Sequence, residues 1–312
     1  MQTPWGALPV SDGHVHFFSH AFFASLASQS GRAIDSLSAT LGFEVPGDDP
    51  RTLACRWIAE LDRHSVERAA LIASVPQDEE SVMAAVDSAP DRFYAYAMVD
   101  PHADGAAAHV ERALRSGRLH ALCFFPAMHR YSIHDEPARA LIHAAAAHNA
   151  AVFVHCGVLT VGVRRKLGLP SQFDMRYSNP IDLHAVALRY PEVRFVVPHF
   201  GAGYFREALM LCDLCPNVYL DTSSSNSWIR YEANLDLRGV FRRALDVVGS
   251  HRLIFGTDSS FFPRGWHSAI FDAQAKALYE IGIDSADARL IFHDNLASIF
   301  SEKKSPGAQR NN

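Results

Sequence analysis

The sequence predicts an α/β protein in which eight parallel strands close into a (β/α)8 TIM barrel. Eight short apolar runs alternate with helical patterns along the 312 residues. The runs are almost continuously apolar, which is typical of strands that are buried on both faces. Eight strand–helix units favour a closed barrel of one domain, and a doubly wound open sheet is the competing arrangement.

The strands are predicted from apolar runs that end near glycine or polar residues. In chain order they are residues 10–17, 68–75, 92–100, 120–126, 150–157, 193–201, 217–223 and 252–258. Helical spacing of apolar residues predicts helices over residues 51–64, 135–149, 205–215, 237–249, 266–281 and 285–300. This alternation predicts parallel pairing through right-handed crossovers.

Three long stretches interrupt the alternation, and each follows the carboxyl end of a predicted strand. They are residues 19–49, 158–179 and 224–236. Active sites of barrels are built at this end of the strands. We therefore expect loop insertions at the C-terminal face, with residues 19–49 covering a pocket. Residues 1–300 are predicted to form the barrel domain, and the polar residues 301–312 a flexible tail.

Composition limits the classes of partner. The chain is 48% hydrophobic and 20% charged, with a formal net charge of −5. These values exclude a disordered chain, and the lack of basic excess argues against nucleic acid or an anionic membrane as a partner. The five cysteines lie mostly in apolar stretches, and no signal peptide or apolar run of membrane-spanning length is apparent. A cytoplasmic location is expected.

Metal-compatible side chains stand at four predicted strand ends. His14 and His16 lie two residues apart in the first strand, so both imidazoles point to one face. His155, His199 and Asp258 end the fifth, sixth and eighth strands. Each alone is compatible with a structural role, but a closed barrel brings all five to one mouth. The pattern therefore predicts a site for a divalent metal.

Several motifs resemble one known family. DGHVH, FVHCG, LIFGTDSSFFPRG and IFHDNLASIF, together with the long segment from NPIDLH to DTSSS, span nearly the whole chain. The sequence resembles the amidohydrolase superfamily, in the amidohydrolase-related branch that includes aminocarboxymuconate-semialdehyde decarboxylase, resorcylate-type decarboxylases and pyrone-dicarboxylate lactonases.

The resemblance implies roles for the strand-end residues. His14, His16, His155 and Asp258 would bind the metal, Asp258 would also move a proton, and His199 would orient or deprotonate the attacking water. Family members with two metals carry a lysine or glutamate on the fourth strand, where this chain has Cys123. That difference argues for one divalent ion, with zinc as the first expectation and manganese or iron as alternatives.

The expected activity is metal-dependent hydrolysis of a small carboxylated, lactone or amide substrate by a metal-activated water. The alternative is a non-oxidative decarboxylase of a carboxylated aromatic or enol substrate, and a redox metalloenzyme and a non-catalytic binding barrel remain as further classes. Arg264 and Arg176 are predicted to bind a substrate carboxylate. Trp228 and His20 are predicted pocket walls. The partner is then a small organic acid or ring substrate, and the resemblance allows a homodimer.

Overall fold

The structure, a computed structural model, describes residues 1–159, 162–223 and 226–300, so the predicted tail lies outside the described residues. Eight strands form one sheet in which every hydrogen-bonded pair is parallel. Numbered along the chain, they are β1 Ser11–Phe17, β2 Arg68–Ala73, β3 Phe93–Val99, β4 Leu119–Phe124, β5 Ala151–Val154, β6 Phe195–Val197, β7 Val218–Asp221 and β8 Leu253–Ile254. Their order in the sheet follows their order in the chain.

Strand β1 meets the segment that follows β8, which completes the barrel. The amide nitrogen of Gly13 donates to the carbonyl oxygen of Phe255 at 2.8 Å, and that of His16 donates to Ser259 at 2.7 Å. Val15 and Ser259 form a parallel bridge. The predicted (β/α)8 barrel is confirmed.

Helices surround the barrel and lie at its carboxyl end. They are α1 His20–Ser30, α2 Ile34–Leu41, α3 Pro50–Arg63, α4 Glu79–Ser88, α5 Ala106–Arg115, α6 Pro126–His129, α7 Glu136–Ala147, α8 Gly162–Lys166, α9 His184–Arg189, α10 Phe205–Leu214, α11 Leu237–Val248, α12 Ser268–Glu280, α13 Ser285–Arg289 and α14 Asn295–Ser298. A two-stranded hairpin, Gln2–Thr3 with Gly6–Ala7, precedes the barrel. No helix in the described residues is both long and apolar enough to cross a membrane.

Helix α11 shows how local sequence sets these elements. The Asp236 side chain accepts a hydrogen bond from the amide of Gly239 and caps the first turn. Val240, Phe241 and Ala244 recur at helical spacing and are buried in the main core. The same core holds the outward side chains of β1, whereas the alternate residues His14 and His16 point inward.

The insertion after β1 folds into two helices, α1 and α2, where the sequence predicted only a long covering loop. Its apolar side chains form a separate cluster with Val163 and Leu167 of the segment after β5, and Phe261 of the segment after β8 packs against this cluster. The rings of Phe43 and Phe261 stack at 3.7 Å. The insertion therefore lies over the carboxyl end of the barrel, as predicted.

Several predicted elements differ in extent from the structure. The fifth and eighth strands span only Ala151–Val154 and Leu253–Ile254, against the predicted residues 150–157 and 252–258. The sixth strand ends at Val197 instead of residue 201, because Pro198 begins a short turn. The predicted helix over residues 285–300 is divided into α13, a π-helical turn Leu290–Asp294 and α14. In that region Asn295 donates to the carbonyl oxygens of Ser250 and Leu253, and so anchors the start of β8.

Candidate metal centre

The two histidines of β1 bring their ring nitrogens together inside the barrel mouth. The Nε2 atoms of His14 and His16 lie 3.4 Å apart. Strand β1 shifts its register against β2 at this point. Gly13 lies at the shift, and a Cβ atom there would be 2.7 Å from Cγ2 of Ile254. Close packing of Gly13 against β8 therefore fixes where the first histidine stands.

Hydrogen bonds to the Nδ1 atoms determine which ring nitrogen carries the hydrogen. His14 Nδ1 lies 2.7 Å from a carboxylate oxygen of Asp221, so this nitrogen donates. His16 Nδ1 lies 2.8 Å from the Ser74 hydroxyl, whose own hydrogen goes to the Ile72 carbonyl oxygen at 3.0 Å. His16 Nδ1 therefore donates as well. Both Nε2 lone pairs are left to bind a metal.

Asp258 brings a carboxylate to the same point. Its Oδ1 atom lies 3.4 Å from His16 Nε2 and 3.8 Å from His14 Nε2. The three donor atoms all lie within 4.8 Å of one another. The side chain of Asp258 is 31% exposed, whereas that of His14 is 1% exposed. Asp258 is thus the most exposed of the three, followed by His16 at 17%.

The electrostatics favour the metal-binding forms of two of the three residues, Asp258 and His16. Burial alone would raise the pKa of Asp258, but its hydrogen bond with His16 and the charges of the neighbouring histidines hold that pKa well below its usual range. Burial lowers the pKa of His16. Burial also opposes the charge on His14, but the Asp221 carboxylate outweighs it and raises the pKa of His14. An ionised Asp258 and a neutral His16 are the forms that bind a cation.

The other two predicted histidines form a pair next to this group. His155 Nε2 lies 3.0 Å from His199 Nε2, and the ring centroids of His199 and His14 are 4.9 Å apart. Burial lowers the pKa of both rings, well below the usual value for His155, where His199 adds to the effect. His155 does not belong to the group whose donors all lie within 4.8 Å of one another. Its role as a ligand stays a prediction, as does the catalytic role of His199.

A left-handed turn carries His199. Residues 199–203 all have positive φ, between 43° and 102°. Non-glycine residues rarely adopt this conformation, and it marks strain that the surroundings must hold. At Gly157 a Cβ atom would lie 2.1 Å from the carbonyl oxygen of Gly201. The turn therefore packs directly on the main chain just past His155.

Asp12 is a supporting residue to which the sequence reasoning gave no role. Its carboxylate is fully buried and accepts from the amides of His14 and Thr257, at 2.9 and 3.1 Å. It also accepts from the Thr257 hydroxyl and, at 2.7 Å, from the indole nitrogen of Trp266. Burial raises the pKa of Asp12 to about 6. These hydrogen bonds connect β1 to the segment that carries Asp258. The sequence feature that could have indicated this role is the position of an aspartate two residues before His14, a predicted metal ligand.

The two predicted carboxylate-binding arginines have different surroundings. Arg264 is exposed and lies beside Asp258, where its Nη2 donates to the Asp258 carbonyl oxygen at 3.2 Å and to the Ser260 hydroxyl at 3.0 Å. Arg176 is exposed, and its Nη2 lies 2.6 Å from Oδ2 of Asp174. Its charge is therefore already paired, and a role in substrate binding stays a prediction.

The remaining residues singled out in the sequence have different surroundings. Trp228 is buried and packs against Phe205 with ring centroids 5.6 Å apart. His20 is the first residue of α1 and is half-buried. Cys123 is buried in the barrel interior, and burial raises the pKa of its thiol well above the usual value. Cys123 is also outside the group of three donors.

Comparison with known proteins identifies the family. Residues 12–300 match the family model described as Amidohydrolase. The chain belongs to the amidohydrolase family. An 86-residue segment of this amidohydrolase, 28% of the chain, is 40% identical to Protein fluG of Emericella nidulans. The match spans about a tenth (10%) of the length of that relative.

Solved structures share the fold of this amidohydrolase. One is 5-carboxyvanillate decarboxylase of Novosphingobium aromaticivorans, complexed with manganese and 4-hydroxy-3-methoxy-5-nitrobenzoic acid. It is 14% identical with a TM-score of 0.63, over 94% of this chain and 96% of that one. Another is a probable 2-pyrone-4,6-dicarboxylic acid hydrolase of Acinetobacter baumannii with citric acid bound. It is 15% identical with a TM-score of 0.59, over 94% of this chain and 99% of that one.

Proposed function

We propose that this amidohydrolase is a metal-dependent hydrolase that acts on a small carboxylated, lactone or amide substrate with a metal-activated water. The observation that carries the proposal is the group formed by His14, His16 and Asp258, whose donor atoms lie within 4.8 Å of one another. The group stands at the carboxyl end of the barrel, where catalytic residues of this fold are found.

The donor set fits a divalent cation. Two imidazoles present Nε2 lone pairs because their Nδ1 atoms donate to Asp221 and Ser74. Together with one carboxylate, this set suits zinc, and also manganese or iron. We propose one ion per chain, with zinc first, and His155 as the fourth protein ligand.

When bound, such an ion lowers the pKa of a water from about 15.7 towards about 7 and polarises a substrate carbonyl. The residues of the chain supply the rest. Asp258 accepts the proton of the attacking water and delivers it to the leaving group, since its carboxylate is ionised and its side chain is partly exposed. His199, neutral because burial lowers its pKa, orients the water through Nε2.

Arg264 is proposed to bind the substrate carboxylate, since its guanidinium lies beside Asp258. We expect Arg264→Gln to raise KM for a carboxylated substrate about 10- to 100-fold and to change kcat much less, because a charge-assisted hydrogen bond is worth about 1.5–3 kcal/mol. Steady-state kinetics check this. Arg176→Gln is the matched comparison: its charge is paired with Asp174, so its KM should stay within about twofold of wild type.

A decarboxylase is the second candidate. Aromatic side chains adjoin the candidate ligands, with the ring of Phe18 5.8 Å from that of His16 and stacked on Phe22 at 4.0 Å. A flat carboxylated ring would pack well against them. The decarboxylase from Novosphingobium aromaticivorans, which binds manganese and a nitrobenzoic acid, supports the same reading.

Labelled water distinguishes the two activities. The zinc-loaded protein is incubated in H2¹⁸O with lactones, amides and carboxylated aromatic acids, and with Asp258→Asn as the control for background reaction. The hydrolase proposal predicts ¹⁸O in the product and no CO2. Release of CO2 with no ¹⁸O in the organic product would establish the decarboxylase instead; label in the CO2 itself carries no information, because CO2 exchanges oxygen with water. A homodimer and a cytoplasmic location stay predictions of the sequence.

A further inference from the structure

Ser223 lies between two histidines that come from different strands. Its hydroxyl oxygen is 2.9 Å from His199 Nδ1 and 3.0 Å from His14 Nδ1. Its carbonyl oxygen is also 2.9 Å from His199 Nδ1. The residue is 1% exposed, so bulk water does not compete for these contacts.

The chemistry of the partners fixes the direction of each bond. A carbonyl oxygen only accepts, so His199 Nδ1 carries a hydrogen and donates it to Ser223. His14 Nδ1 likewise donates to Asp221. The Ser223 hydroxyl oxygen therefore faces two N–H groups and is a second acceptor for each, beside the Asp221 carboxylate for His14 and the Ser223 carbonyl oxygen for His199. As a result the Nε2 atom of each ring keeps its lone pair.

Ser223 is itself held firmly in place. Its amide nitrogen donates to Oδ1 of Asp221, the carboxylate that also binds His14. On its other side the segment after β8 approaches so closely that a Cβ atom at Gly256 would lie 2.9 Å from Cβ of Ser223. A residue fixed from both sides can hold the ring of His199, whose own backbone is strained at φ 56°.

We propose that the hydroxyl of Ser223 is a positioning group that fixes the orientations of the His14 and His199 rings together. Through it, a proposed metal ligand of β1 and the histidine proposed to orient the water are held as one unit. The inference rests on the proposed function for the roles of the two histidines. The contacts of Ser223 themselves can be tested in the metal-free protein.

The test compares wild type with Ser223→Ala and with Ser178→Ala. Ser178 is the matched control, because it is also a buried serine but its hydroxyl donates to the Met175 carbonyl oxygen and touches no histidine. Competition with a fluorescent chelator gives the Kd for Zn²⁺. We expect Ser223→Ala to raise this Kd about 10- to 100-fold, the usual cost of losing a partner of a metal ligand, and Ser178→Ala to leave it unchanged.

Nitrogen-15 NMR of the histidine rings in the metal-free protein is the second readout. Wild type should show a hydrogen on Nδ1 of both His14 and His199. In Ser223→Ala the His199 Nδ1–H signal should shift and its hydrogen should exchange faster with water, because the carbonyl oxygen of residue 223 is then its remaining acceptor. Unchanged ring signals in a folded Ser223→Ala protein would overturn the inference. If wild type binds Zn²⁺, a Kd of Ser223→Ala within threefold of the wild-type Kd would also overturn it. If Ser223→Ala does not fold, Ser223→Thr is used instead. Threonine keeps the hydroxyl, so the Zn²⁺ Kd and the ring signals of this variant should equal those of wild type. Loss of either in the folded variant would overturn the inference. Failure of wild type to bind Zn²⁺ would instead refute the proposed function, and the ring signals would still decide the role of Ser223.

Discussion

His14→Ala is expected to abolish metal binding and to destabilise the fold. The substitution removes one of the four proposed protein ligands. The loss of affinity should therefore exceed the about 10- to 100-fold that is lost when a ligand loses its hydrogen-bond partner. It also leaves the buried carboxylate of Asp221 without its imidazole partner. Breaking a buried pair in this way costs about 3–5 kcal/mol of unfolding free energy. Elemental analysis and urea denaturation measure the two effects.

The control is another histidine of the chain. His143→Ala changes an exposed histidine of α7, so metal content and unfolding free energy should stay at wild-type values. If His14→Ala keeps a full equivalent of metal after dialysis, His14 is not a ligand and the proposed centre is wrong.

Gly157→Ala is expected to displace the turn that carries His199. A Cβ atom at this residue would lie 2.1 Å from the carbonyl oxygen of Gly201 and 2.4 Å from that of Ala202. Both obstacles are backbone atoms, and φ at Gly157 is +78°, which alanine rarely adopts. Steric overlap and strain together should cost about 3 kcal/mol of unfolding free energy. The folded fraction of Gly157→Ala should still exceed its fraction of wild-type activity, because displacement of the turn also moves His199.

Gly47→Ala is the matched control, since no atom lies within 4 Å of the added Cβ. Its unfolding free energy should lie within about 0.5 kcal/mol of wild type. Wild-type stability and activity in Gly157→Ala would show that the turn has room to move and does not hold His199 in place.

The barrel and the ligand group could be predicted because simple periodicities determine them. Buried strands read as apolar runs, and a spacing of two puts His14 and His16 on one face. Closure of the barrel then brings Asp258 next to them. The structure of residues 19–49 was harder to predict, because glycines interrupt the apolar pattern of α1 and α2. The apolar cluster of this segment is also completed by residues after β5 and β8, which are distant in the sequence.

The supporting residues depend on three-dimensional contacts that no short motif encodes. Ser223 belongs to the DTSSS part of a family-like segment, and Ser74 has no such setting, but for both only the folded barrel shows that the hydroxyl lies on a ring nitrogen. The left-handed turn at residues 199–203 is equally hard to predict from the sequence. The residue that must be glycine to make room for it is Gly157, more than 40 residues earlier in the chain. Such positions carry much of the geometry of the site and little local signal.

The most direct test of the central claim is anomalous diffraction from crystals of the zinc-loaded protein, with peaks recorded on both sides of the metal absorption edge. The account predicts one peak per chain, about 2.0–2.2 Å from Nε2 of His14, Nε2 of His16 and a carboxylate oxygen of Asp258. A map with no peak among these three side chains, or with the ion bound elsewhere in the molecule, would contradict it.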